Sequence, residues 1–105
     1  MEEKCTPRLI GPSAFLVLLA IDALPRRECY GLRIYRYLKA RGQDMDSAAV
    51  YMTLHRLRDR KILSVEEAQS PSDGKRTVTL YDMNDLGKIS FARAKKHFAK
   101  FKKII

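Results

Sequence analysis

Side chains able to hold a metal or carry redox chemistry are scarce in this sequence. It has two cysteines, Cys5 and Cys29, two histidines, His55 and His97, and no C-x-x-C pair. A structural zinc site needs a closed set of such ligands in close pairs, so no metal is expected. Two lone cysteines leave a disulfide open, but they read more naturally as reduced thiols of a cytosolic protein. No Ser/His/Asp or Cys/His arrangement and no phosphate-cradling glycine loop can be assembled, which argues against an enzyme and against a cofactor. A long apolar run is missing too. Residues 14–24 are apolar but interrupted by Asp22, about half of the roughly 20 residues that span a bilayer. Lys4 and Arg8 precede that run, yet no small-x-small cleavage site follows it. The chain is therefore expected to be cytoplasmic, with no membrane association.

Acidic residues are also few, at 12 Asp and Glu against 21 Lys and Arg, for a formal net charge of +9. Solubility alone accounts for many basic small proteins, but an excess of this size favours a polyanionic partner. The 105 residues suffice for a single hydrophobic core and leave no room for a separate sensing or catalytic domain.

The hydrophobic pattern divides the chain into six elements. Ser13 stands before the first apolar run as an expected N-cap, and Pro25 stops that helix at about Leu24. Its near-uniform apolarity places it at the centre of the core. A second helix is expected over 30–41, with Leu32, Ile34, Tyr35 and Leu38 as apolar positions and Gly42 as its stop. After a short connection, Asp46 or Ser47 caps a third helix over 47–61. Here Val50, Leu54 and Leu57 form a buried stripe, while Ala48, Tyr51, Met52, His55 and Asp59 project to the other side. From Ile62 the period changes to that of a hairpin, whose tip at 70–76 contains Pro71, Asp73-Gly74 and the basic pair Lys75-Arg76. Asn84 or Asp85 caps a last helix running to 105. Along it Phe91, Ala94, Phe98, Phe101 and Ile105 fall at steps of three, four, three and four, the seam spacing of a coiled coil.

Two helices joined by a short turn, followed by a basic hairpin, form a helix-turn-helix with a wing. The expected fold is mainly α with a small β-hairpin: a winged helix-turn-helix over 1–84 and a C-terminal dimerisation helix over 85–105, packed as part of the same unit. The third helix fits a DNA major groove, and the wing at 69–77 reaches the backbone beside it. The expected DNA-binding residues are Ser47, Ala48, Tyr51, Met52, His55, Arg56, Lys75 and Arg76. Ser47 and Ala48 sit at the helix N-terminus, where backbone N–H groups meet phosphate. Tyr51 reads almost equally as a side chain half-buried between helices, and His55 as an exposed residue without a role. Arg56 can reach a phosphate or pair with Asp22, Glu28 or Asp59. For the last helix, folding back as core and pairing with a second copy both remain open. Three phenylalanines on a terminal helix favour a homodimer whose interface holds Phe91, Ala94, Phe98, Phe101 and Ile105.

Several stretches taken together look familiar. Residues 47–57, SAAVYMTLHRL, resemble the recognition-helix signature of the PadR family of transcriptional regulators, with its V-Y-x-x-L-x-R-L core. Tyr30-Gly31-Leu32-Arg33-Ile34 resembles the family's Y-G-x-x-I. Gly74-Lys75-Arg76 and the run from Leu80 to Gly87 resemble its basic wing and its Y-x-L-T-x-x-G exit. Ala48 stands where the family usually has Gly, and Met83 and Asn84 where it has Leu and Thr. The resemblance covers about 15–105 and implies a winged-helix repressor that dimerises through its last helix, sometimes responding to small phenolic or drug-like molecules. Some members hold flat aromatic ligands between tryptophans, and this chain has no Trp. A small-molecule effector is therefore allowed by the resemblance but not predicted.

These readings converge on a sequence-specific regulator that binds double-stranded DNA as a dimeric repressor of a palindromic operator. The alternative is a winged-helix protein-interaction module that docks on an acidic protein partner.

Overall fold

The computed structural model describes residues 10–70 and 74–99. Helix α1 (Pro12–Ala23) is followed by a 3-10 turn (Arg26–Glu28), α2 (Gly31–Ala40), α3 (Ser47–Asp59), strands β1 (Leu63–Gln69) and β2 (Thr77–Met83), and α4 (Asp85–Phe98). The two strands form one antiparallel hairpin in which Leu63 pairs with Met83, Val65 with Tyr81 and Gln69 with Thr77.

The helix ends show how the chain sets these bounds. Helix α1 opens two residues earlier than Ser13 as cap implies. Gly11 is the N-cap with no side-chain bond, and Pro12 occupies the first turn, where its fixed φ and missing N–H carry no penalty. In α3 Asp46 is the cap, its carboxylate accepting the Ala49 N–H at 2.8 Å. In α4 Asn84 plays that part, accepting from Gly87 N–H at 2.8 Å. Helix α2 closes in a left-handed turn at Gly42 (φ +80°), with Gln43 N–H donating to the Leu38 carbonyl and Gly42 N–H to that of Lys39. The two bonds make a Schellman motif. The same pair of bonds recurs after α3, from Ile62 to Leu57 and from Lys61 to Arg58, with Lys61 as the left-handed residue (φ +65°).

Helix α1 lies at the centre of the core, with Phe15, Val17, Leu18, Ala20 and Ile21 all buried. Ile34 and Leu38 of α2 and Val50, Leu54 and Leu57 of α3 join it in one cluster. Helix α4 belongs to that cluster as well. Phe98 stacks on Phe15 with ring centroids 4.8 Å apart, and Phe91 meets the same ring at 5.9 Å. Phe91, Ala94 and Phe98 are 6, 0 and 6 % exposed within the single chain. This corrects the premise that they await a partner's helix, because the domain itself takes up their aromatic surface. Phe101 and Ile105, expected further along the seam, lie outside the described residues.

Two close approaches lock the joints. A Cβ on Gly87 would stand 2.2 Å from the Ile62 carbonyl oxygen, so the first turn of α4 sits directly on the turn that leaves α3. Asn84 fastens the same joint, its side-chain amide donating to the Lys61 carbonyl at 2.6 Å. At the other edge of the hairpin Tyr81 N–H donates to the Cys29 carbonyl at 2.8 Å, which ties the end of the 3-10 turn to β2. Arg26 reinforces that edge by reaching Glu66 of β1 and Asp82 of β2. Glu66 first, and Asp82 after it, raise the Arg26 pKa above its ordinary value.

Candidate nucleic-acid interface

Helix α3 is buried along Val50, Thr53, Leu54 and Leu57. The opposite side, spaced by three and four residues, faces outward. Ser47, Ala48, Tyr51, Met52, His55 and Arg56 are all exposed, and so are Lys75 and Arg76 at the base of the wing loop. Every residue expected to meet DNA is thus on the surface.

Tyr51 is packed between α2 and α3 and still reaches the surface. The ring lies against the α-carbon of Gly31, where an added Cβ would come within 2.2 Å of it, yet the residue remains 40 % exposed. The glycine of the Y-G pair on α2 and the tyrosine of the V-Y pair on α3 are therefore two halves of one contact. Beyond the ring opens a hollow of about 270 Å³ lined by Tyr30, Gly31, Tyr51, His55 and the β2 residues Thr77, Val78, Thr79 and Tyr81. It joins the exposed side of α3 to the strand that follows Lys75 and Arg76. Sequence reasoning missed the contribution of Thr77, Thr79 and Tyr81. Their alternation along one strand was the available signal.

Arg56 does not take any of the partners considered for it. Glu28 binds Arg33 at 2.9 Å and Asp59 binds Arg58 at 3.2 Å, and Arg56 enters no ion pair among the described residues. It lines, with Arg60, a second hollow of about 210 Å³ against Gly11, Pro12, Ser13 and Ala14 at the start of α1. Arg60 was not foreseen, although it lies one helical turn beyond Arg56. Exposed pairs such as Arg58–Asp59 add little stability. Their effect is to offset carboxylates beside a basic surface, leaving the field positive.

Among the described residues no group of three or more His, Cys, Asp or Glu side chains could hold a metal ion. No described helix is long and apolar enough to cross a membrane.

A helix-turn-helix with an exposed second helix, a basic hairpin and one hollow between them defines a winged-helix DNA-binding protein. Residues 18–93 match the model of the transcriptional regulator PadR-like family. The chain belongs to that family and is a DNA-binding transcriptional regulator rather than an enzyme. Solved structures show the same fold. A PadR family transcription regulator from hypervirulent Clostridium difficile R20291 superposes with a TM-score of 0.72 at 19 % identity, covering 90 % of this chain and 94 % of that one. A PadR-like transcription factor from Bacteroides fragilis gives 0.65 at 18 % identity, with 87 and 82 % covered. A transcriptional regulator from Clostridium thermocellum gives 0.64 at 14 %, with 89 and 84 % covered. No curated protein matches the chain in sequence.

Proposed function

We propose that this regulator is a homodimeric repressor that reads a palindromic operator with α3 and the wing, and that it acts in the cytoplasm. The observation that carries the reading is the shared hollow, in which Tyr51 and His55 of α3 face Thr77 and Thr79 of the wing. A helix in the major groove then leaves the adjoining backbone strand against the hydroxyls of β2, with Lys75 and Arg76 on phosphates. Ser47 and Ala48 offer the N-terminal N–H groups of α3 to another phosphate. Arg56 and Arg60 extend the basic surface toward the start of α1. The homodimer draws its support from the sequence, since Phe101 and Ile105 continue the three-four spacing past Phe98. Two copies present two recognition helices to a symmetric site, and bound there they occlude a promoter.

Selection from a random duplex library at two salt concentrations tests this. A two-fold symmetric motif is expected to be enriched at both. Retention of all sequences alike, vanishing as salt rises, would overturn sequence-specific reading and turn attention to an acidic protein partner.

A further inference from the structure

The tip of a recognition helix in so basic a chain would be expected to carry arginine or lysine. Yet none of the 21 Lys and Arg falls between Ser47 and His55, nor does any Asp, Glu, Asn or Gln. Guanine is read in the major groove by Arg or Lys, adenine by Asn or Gln, and cytosine by Glu or Asp. Through its first two turns α3 has none of these. Ser47, Tyr51 and His55 offer hydrogen bonds, and Thr53 is turned into the core. What α3 presents instead is apolar. Met52 is 60 % exposed, more than any other large hydrophobic residue among those described, and Ala48 lies exposed one turn before it. The pair shares one side of the helix with His55. The apolar contact that the major groove offers is the C5-methyl group of thymine.

Resting on the DNA-binding reading of α3, we infer that Ala48 and Met52 read thymine methyl groups, so that the operator half-site carries at least one thymine under this pair. The charge distribution fits that occupant. The basic residues Arg56, Arg58, Arg60 and Lys61 follow on the C-terminal side of the apolar pair, and Lys75 and Arg76 stand on the wing. Phosphates meet cations at the margins, while the centre of the helix meets methyl groups. Met52 has the unbranched, polarisable side chain that adapts to such a surface.

The test uses the full chain and the operator recovered by selection. Each thymine is replaced in turn by deoxyuridine, which lacks only the C5 methyl, and affinity is measured by fluorescence anisotropy for the wild type, Met52→Ala and Ala48→Gly. Wild type is expected to lose roughly four-fold for each methyl removed under the pair. At that position Met52→Ala is expected to bind thymine and deoxyuridine duplexes alike. Met52 is exposed and alanine is a strong helix former, so the urea midpoint of Met52→Ala should be unchanged. Equal affinity for every deoxyuridine duplex, with a motif still selected, would overturn the methyl reading and leave DNA recognition standing. Methyl sensitivity that survives in both variants would overturn the assignment to Ala48 and Met52. Failure to select any motif would overturn this inference together with the reading beneath it.

Discussion

Cys29 sits where the 3-10 turn meets the hairpin, its Sγ within 3.4 to 3.7 Å of the carbonyl oxygens of Ile21, Leu24 and Pro25. A neutral thiol can donate into that ring of acceptors, whereas a thiolate would be repelled by it. Burial first, then the charges of Asp82 and Glu28, push the thiol from about 9 up to about 11. Burial also raises the neighbouring Tyr81 phenol above its ordinary value. In both cases the folded state holds a proton that the unfolded chain gives up sooner. The stabilisation is complete below the unfolded pKa and is lost as pH rises through the folded one. The urea midpoint should therefore fall between about pH 9 and pH 11. Cys29→Ala should show a shallower fall over the same range, because alanine has no proton to lose. Parallel curves for the two proteins would mean that the thiol titrates alike folded and unfolded. The same burial should leave Cys29 slow to alkylate near neutral pH, since the reactive species is the thiolate.

Between elements, the contact of Gly31 with the Tyr51 ring ties the placing of a side chain proposed to meet DNA to the packing of α2 on α3. In Gly31→Ala the new methyl group would meet that ring at 2.2 Å. The ring is at the partly exposed end of its side chain and can swing outward, so stability should change by less than about 1 kcal/mol. Operator affinity should nevertheless drop roughly ten-fold, the scale of one well-placed contact. Anisotropy and urea unfolding on the same preparation separate the two effects, and unchanged affinity would mean that Tyr51 is not needed where it lies. Much of this architecture was legible beforehand. The apolar stripe at Val50, Leu54 and Leu57, the stop at Gly42 and the change of period after Ile62 are local patterns with one structural solution each. The pairing of Gly31 with Tyr51 was not, because 20 residues separate them in the chain. The start of α1 differs by two residues from the Ser13 cap expected, since Pro12 fits inside a first turn as readily as before it. The role of α4 was harder still. A three-four spacing of phenylalanines describes a buried face equally well whether the covering surface is Phe15 or a second copy.

At the scale of the whole molecule, that distinction becomes a difference between folding and assembly. Phe98 is 6 % exposed and stacked on Phe15, so it belongs to the stability of one chain. Phe98→Glu removes an aromatic ring from the core and places a carboxylate in its position, at a cost of at least about 4 kcal/mol. A small domain has roughly 5–15 kcal/mol in all. The expected result is a large loss of urea stability, with any loss of dimer following from unfolding. Phe101 stands three residues further along and is proposed to face the second protomer. Phe101→Glu should therefore lower the urea midpoint far less than Phe98→Glu does, by no more than the loss of dimer coupling, and shift the sedimentation-equilibrium mass toward the 12.1 kDa of one chain. DNA affinity should fall with it, because a monomer loses the gain in effective concentration that links two half-sites. A Phe101→Glu protein that sediments as a dimer would place the interface elsewhere on the surface. Ile89 of α4, 52 % exposed, would be the next residue to substitute.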